Sequence, residues 1–314
     1  MNRFRLFFSF VTTLAGVALI VALFHRSGQD IGHVAKLVRT IDLRWGSLVL
    51  AGMAINIVLA AQKWRRVESC LTETRQPLDK AIALTALAGA LGQVLPTPVA
   101  SATVRGFGNR LSHRSCRHGV LASAWEQLFD LGAALLLSGP ALLFLLGSGW
   151  AVIATSCLAT LIIGESCAVA VPRLIIKFAR ISPAIAAPAL CKFLWRLSLM
   201  RTMILILVSV GIGRAANADI HEFLIAAAVP PIILAATLSF VPAGIGVNEL
   251  SFVGLLALGG VPMSASASFA LVNRALQMGI ALLLGIFGLV MLNRRLVRFG
   301  SGGGQRSAMP TTAA

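Results

Sequence analysis

The chain has 314 residues, of which 57% are hydrophobic and only 12% charged, with a mean hydropathy of +0.87. Soluble domains carry about 25% charged residues, so this apolar excess must face lipid, and a water-soluble globule is excluded. The formal net charge is +16, from 27 Lys plus Arg against 11 Asp plus Glu. In a chain of membrane-length apolar runs, that charge speaks to which side of a bilayer the loops occupy, and not to nucleic acid.

The first apolar run, Leu6 to Phe24, follows Arg3 and Arg5 and ends in Ala22-Leu23-Phe24-His25 with no small-x-small cleavage site. At about 1.5 Å per residue it is long enough to cross a bilayer, so it reads as a retained first span and not a signal peptide. Arg26 to Arg44 has Ile31, Val34, Leu37, Val38 and Ile41 at helical spacing and reads as an interfacial helix. A second span runs from Trp45 to Gln62, followed by Lys63, Arg65, Arg66, Arg75 and Lys80 in an expected loop. Ala81 to Leu95 is apolar but short, rich in small residues and stopped by Pro96 and Pro98; Arg105, Arg110, Arg114 and Arg117 come soon after.

A third long run, Gly119 to Gly147, is interrupted by Gly139-Pro140, and a fourth spans Trp150 to Val171. An amphipathic stretch with Arg173, Lys177, Arg180, Lys192, Arg196 and Arg201 leads into a span ending near Gly213. Phe223 to Val261 is broken at Pro230-Pro231 and again at Pro242-Ala243-Gly244-Ile245-Gly246, and a last span covers Ala265 to Leu292. Residues 1–299 thus form one integral membrane domain, with a disordered Gly/Ser-rich tail over 300–314. Cys70, Cys116, Cys157, Cys167 and Cys191 form no CxxC pair, so no disulfide framework is expected.

The positive-inside rule selects among topologies. If residues 81–104 enter and return on the cytoplasmic side, and 223–261 do so on the outer side, most basic residues stay cytoplasmic. Arg26, Lys36, Arg39, Arg44 and Arg214 then fall outside and Arg274 in the membrane. The expected fold is an all-α polytopic transmembrane helix bundle with six full spans and two re-entrant or broken hairpins, both termini cytoplasmic. Eight or nine conventional spans are the alternative.

Five ionisable residues fall inside apolar runs: Glu126, Asp130, Glu165, Glu249 and Arg274. Each opposes insertion by roughly 2.5–3.5 kcal/mol at a helix centre, so they should pair or face a hydrated cavity. Glu126 and Asp130 are four apart and share a helix face. Arg274, with Asn273 and Gln277 nearby, is the expected intramembrane counter-charge. For Glu165, beside Gly164 and Ser166, a structural role is the favoured reading. The breaks at Pro96, Pro98, Pro242, Gly244 and Gly246 put irregular backbone at membrane depth, which requires protein or a water-filled cavity around it. Leu91-Gly92-Gln93-Val94-Leu95-Pro96 and Leu238-Ser239-Phe240-Val241-Pro242 are alike, which suggests an inverted repeat with a site between its halves. All five histidines lie in loops or at span ends. With no HExxH zinc site and no Walker A loop, neither an enzyme, a metal site nor a cofactor is expected.

In order and spacing, Leu95-Pro96-Thr97-Pro98-Val99-Ala100-Ser101-Ala102-Thr103-Val104-Arg105, Glu126-Gln127-Leu128-Phe129-Asp130 and Pro242-Ala243-Gly244-Ile245-Gly246-Val247-Asn248-Glu249 resemble the transmembrane-region family of lysylphosphatidylglycerol synthases. The resemblance covers nearly the whole chain and implies a flippase-like protein of the bacterial inner membrane, with Pro96, Arg105, Glu126, Asp130, Gly244, Gly246 and Glu249 at family positions. Two departures stand out: Ala100-Ser101-Ala102 replaces a Gly-Gly-Asp common in relatives, and Gln127 replaces a frequent arginine. The soluble aminoacyl-transferring half has no counterpart in this sequence. The expected activity is therefore translocation of a phospholipid or lipid-linked headgroup, with Arg105 at the cytoplasmic mouth meeting a phosphate. Glu126, Asp130, Asn248, Glu249 and Arg274 complete the expected substrate site. The alternative is a non-catalytic membrane partner or anchor for a lipid-modifying or glycosyl-transferring enzyme; the sequence leaves a homo-oligomer open.

Overall fold

The computed structural model describes residues 42–179 and 182–301. The expected first span, nearly all of the interfacial linker and the tail beyond Ser301 lie outside the described residues. Those described form nine α-helices and no strand: α1 (Leu43–Thr72), α2 (Leu78–Leu91), α3 (Thr97–Arg110), α4 (Cys116–Leu145), α5 (Trp150–Ala179), α6 (Pro188–Ala215), α7 (Glu222–Ser239), α8 (Val247–Leu258) and α9 (Met263–Ser301). Short 3-10 turns fill Pro183–Ala186 and Pro242–Gly244. Helix boundaries follow local chemistry. The Asp42 side chain accepts the Arg44 N–H at the start of α1, and Glu73, with φ of 55°, ends it. Pro77, Pro96 and Ala187-Pro188 set the starts of α2, α3 and α6.

Six helices, α1, α4, α5, α6, α7 and α9, are long and apolar enough to cross a membrane. The sequence also gives six spans, but not the same six. Leu6 to Phe24 is outside the described residues, whereas α7, expected as one arm of a broken hairpin, has 18 residues, about 27 Å of helix and within the spanning range. Other expectations also need correction. Gly139-Pro140 and Pro230-Pro231 do not break their helices, which run on through them. A proline leaves the carbonyl four residues earlier without its helical donor. For Pro140 that carbonyl is Leu136, and Thr160 Oγ1 on α5 donates to it at 3.2 Å, a neighbouring-helix replacement of the kind membrane helices rely on. Likewise α1 does not stop at Gln62; Lys63, Arg65 and Arg66 are helical.

The described helices form two units of four, α1–α4 and α6–α9, joined by α5. Helices α1 and α6 pack antiparallel: the Asp42 N–H donates to the Ala215 carbonyl at 3.2 Å, and Lys63 Nζ to Ser198 Oγ at 2.6 Å. Helices α2 and α3 make a hairpin whose ends meet where Lys80 donates to the Gly108 carbonyl at 3.3 Å and to Ser112. That base lies at the Thr72 end of α1, where Arg114 pairs with Glu68 at 2.8 Å and Gln76 with Asn109 at 2.5 Å. Helices α7 and α8 make a second hairpin, with Gly259 packed against Leu224. Its base lies at the opposite end of the bundle, where Glu222 pairs with Arg214 at the end of α6. The two units therefore run in opposite directions, as an inverted repeat requires.

Packing repeats this relation. Helix α2 packs on α9 while α7 packs on α4, so each hairpin leans on the long helix that follows the other. The α2–α9 seam is close because both faces are small: Cβ atoms added at Gly285 and Gly288 would come 2.3 Å from Ala90 and 2.7 Å from the Ala83 carbonyl.

Candidate functional site

With 14 residues each, α2 and α3 extend about 21 Å, too short to cross the roughly 30 Å of hydrocarbon. Their connecting turn therefore ends within the bundle. The turn between α7 and α8 follows a helix long enough to span yet faces the same interior space; there Gly244 and Gly246 have φ of +65° and +81°, values that favour glycine. A Cβ on Gly244 would also come 2.8 Å from the Asn248 side chain. Both tips line one cavity of about 370 Å³, through Gln93, Pro96 and Thr97 on one side and Phe240, Val241 and Gly244 on the other. That volume lies within the range of small-molecule sites.

Three ion-pair groups stand at this cavity. In the first half, Arg105 on α3 donates from Nη1 to Glu126 Oε1 on α4 and from Nη2 to Thr85 Oγ1 at 3.1 Å. Its guanidinium lies 5.3 Å from the Trp64 ring centroid. In the second half, Glu249 on α8 faces Arg274 on α9 at 3.6 Å, while its Oε2 accepts the Gly246 N–H at 2.7 Å. Between them, Asp130 on α4 accepts from Lys63 on α1 at 2.5 Å, from Ser198 at 2.7 Å and from Arg201 on α6. Arg201 also donates to Asn56 at 2.9 Å.

All the expected substrate-site residues, Arg105, Glu126, Asp130, Asn248, Glu249 and Arg274, line this cavity. The structural breaks Pro96, Pro98 and Gly244 line it as well, while Pro242 and Gly246 shape the turn behind it. One placement differs from expectation. Arg105 does not stand at an open mouth; it is 1% exposed and tied to a carboxylate, because a guanidinium at this depth is tolerated only when paired. Glu165 stands away from the cavity, paired with Arg196 at 3.2 Å on the outer surface.

The sequence reading misses Lys63 and Arg201. It places Lys63 in a loop, yet the side chain is fully buried and donates three hydrogen bonds, the third to the Glu126 carbonyl at 3.2 Å. A helical-register signal is present: Asn56 and Lys63 are seven apart on α1, and Ser198 and Arg201 three apart on α6. With Arg201 included, the cavity wall carries the carboxylates of Glu126, Asp130 and Glu249 against the cations Arg105, Arg201 and Arg274, with Lys63 buried behind Asp130. The wall itself is balanced, three against three, and Lys63 behind it gives the whole cluster one cation more than its carboxylates. Glu126 Oε2 and Arg105 Nε are buried without a hydrogen-bond partner. Such atoms are costly unless something meets them, and the wall can thus receive both a donor-bearing group and an acceptor such as a phosphate oxygen.

No protein of curated function and no solved structure shows significant similarity to the chain. A family model does match it, over residues 10–285, which includes both hairpins and every ion pair at the cavity. By that match the chain belongs to the family of the lysylphosphatidylglycerol synthase transmembrane region.

Proposed function

We propose that this chain translocates a phospholipid or lipid-linked headgroup across the bacterial inner membrane, with the cavity as the passage for the headgroup. The observation that carries the reading is the cavity between the tips of two oppositely directed hairpins, with ionic groups contributed by both halves. Inverted repeats with broken helices meeting near the midplane are the architecture of alternating access. In this reading the hairpins are re-entrant, the first from the cytoplasmic side and the second from the outer side. The arginine groups receive a phosphate, and Glu126 and Glu249 receive hydroxyls or an ammonium. Rocking of one unit against the other exposes the cavity to each face in turn. The exposed basic residues around the base of the first hairpin, Arg75, Arg110 and Arg117, then hold anionic headgroups at about 1 kcal/mol each.

The test is transbilayer movement of fluorescent phospholipids in liposomes containing the purified chain, with dithionite quenching of the outer leaflet. Quenching beyond the outer-leaflet share for at least one headgroup supports the reading. Quenching equal to that of protein-free liposomes across anionic, zwitterionic, aminoacylated and glycosylated headgroups overturns it.

A further inference from the structure

Lys63 carries a charge that the cavity wall does not need for its own balance. Among the described residues of the cluster, Glu126 is matched by Arg105 and Glu249 by Arg274, while Asp130 alone faces two cations, Lys63 and Arg201. The surplus is local and deep. The Lys63 side chain is 0% exposed and meets the cavity only through Asp130, whose side chain is 27% exposed on the wall. Of the four cations, the three guanidinium groups keep their protons, whereas an amine can stand neutral. Without its proton, Lys63 leaves three carboxylates against three guanidinium groups, and no net charge is buried.

The hydrogen bonds around Lys63 serve both forms. As an ammonium it donates to the Glu126 carbonyl at 3.2 Å, to Asp130 Oδ1 at 2.5 Å and to Ser198 Oγ at 2.6 Å, while the Ser198 hydroxyl donates to Asp130 at 2.7 Å. As an amine it keeps the first two and accepts from Ser198, whose hydroxyl turns from Asp130 to Nζ with no heavy atom displaced. Among the described residues, the charged groups facing Lys63 are Asp130 and Glu126 on α4 and Arg201 on α6. Arg105 on α3 lies over the neighbouring Trp64 ring and closes on Glu126, and Glu68 on α1 itself is held by Arg114.

We propose that Lys63 is a proton site linked to the headgroup site: Nζ takes up one proton when a singly charged phosphodiester enters the cavity and gives it up when that anion leaves. The inference rests on the reading of the cavity as a headgroup site. With the anion beside Arg105 and Arg201, both on the wall, three carboxylates and one phosphate face four cations, and the cluster is again balanced. A zwitterionic headgroup adds no net charge and takes no proton. The proton passes from water in the cavity through the Asp130 carboxylate to the Nζ lone pair and returns by the same route. Only O–H and N–H bonds break and form. In alternating access the anion and the proton travel together, so a transmembrane proton gradient biases the direction of lipid movement.

The test is calorimetric titration of the purified full chain, in a non-ionic detergent at about pH 8.5 where histidine is neutral, with dioctanoyl phosphatidylglycerol. Two buffers of different ionisation enthalpy give affinity and proton uptake together. The wild-type chain is expected to take up about one proton per bound lipid, and its affinity to fall by up to about tenfold per pH unit as the pH is raised further. Dioctanoyl phosphatidylcholine is expected to bring no proton uptake. Lys63→Arg fixes the charge and is expected to bind phosphatidylglycerol with neither proton uptake nor that pH dependence. Gly89→Trp, placed where the cavity has open space, is expected to lose binding and uptake alike. Saturable binding without proton uptake, uptake undiminished in Lys63→Arg, or no binding of phosphatidylglycerol overturns the inference. The first and last of these need only the wild-type chain, so misfolding of a variant does not shield the proposal. Proton uptake as expected in a chain that moves no lipid in liposomes overturns translocation alone; lipid movement with binding that takes up no proton overturns the proton site alone.

Discussion

Glu249 on α8 stands 3.6 Å from Arg274 on α9, and this pair is the charge-reversed counterpart of Arg105 on α3 with Glu126 on α4. In each unit the second arm of the hairpin supplies one member and the following long helix the other. The two halves thus bring base and acid to the cavity from opposite directions, each neutralised in place. Breaking a buried pair costs roughly 3–5 kcal/mol, while replacing both members by uncharged groups is often near neutral.

Arg274→Met is accordingly expected to lower the unfolding temperature in detergent more than Glu249→Gln with Arg274→Met together. The glutamine keeps an acceptor for the Gly246 N–H, so the double variant retains the start of α8. Equal losses in single and double variants would show that the pair does not couple.

Asp130 holds Lys63 and Arg201 at once, so its removal leaves two cations adjacent. Removing Lys63 leaves a balanced pair. Asp130→Asn should therefore destabilise by about 3 kcal/mol or more and Lys63→Met by clearly less, as read by thermal unfolding of the purified chain. The reverse order would place the stabilising interactions of this cluster elsewhere.

Thr160 donates to the Leu136 carbonyl that Pro140 leaves free. Thr160→Val should cost about 0.5–2 kcal/mol, and the loss should largely vanish in the Pro140→Ala background, where the alanine supplies the missing helical N–H. A double-mutant cycle with no coupling contradicts this account of how α4 runs through a proline.

Much of this site is legible in the sequence, and for a physical reason. Glu126, Asp130, Glu249 and Arg274 stand out because charge inside an apolar run is expensive, and the cost is visible without coordinates. Lys63, Arg201 and Glu68 are hidden because each lies near a cluster of other basic residues, where it looks like an ordinary helix end. Only the continuation of α1 to Thr72, decided by packing, takes Lys63 to 0% exposure. Pro140 and Pro230-Pro231 read as breaks in the sequence alone; for Pro140 the donor that takes up the freed carbonyl comes from another helix. Pro96 and Pro242 stand at breaks in the structure as well: Pro96 caps the start of α3, with Pro98 in its first turn, and Pro242 opens the 3-10 turn that Gly244 and Gly246 complete at positive φ.

Gly244 and Gly246, at positive φ, should each resist alanine by about 1–2 kcal/mol. At Gly244 the contact with Asn248 adds to this. Gly139→Ala, in open space within α4, should be neutral or slightly stabilising. Thermal unfolding checks the order.

The opposite directions of the hairpins predict opposite sidedness of their bases. Native Cys116, at the start of α4, and Asp219→Cys, before α7, are both exposed. A membrane-impermeant thiol reagent should reach them from different sides of an intact vesicle; labelling of both from the same side contradicts the inverted arrangement.

The most direct test of headgroup passage is a plug that touches no ion pair. Gly89 lines the cavity and has nothing within 4 Å of an added Cβ, so Gly89→Trp should fill the space. Gly139→Trp, outside the cavity, is the control. In proteoliposomes with matched protein and unchanged unfolding temperatures, lipid movement should stop with Gly89→Trp and persist with Gly139→Trp. Undiminished movement with the cavity filled would contradict passage of the headgroup between the two hairpins.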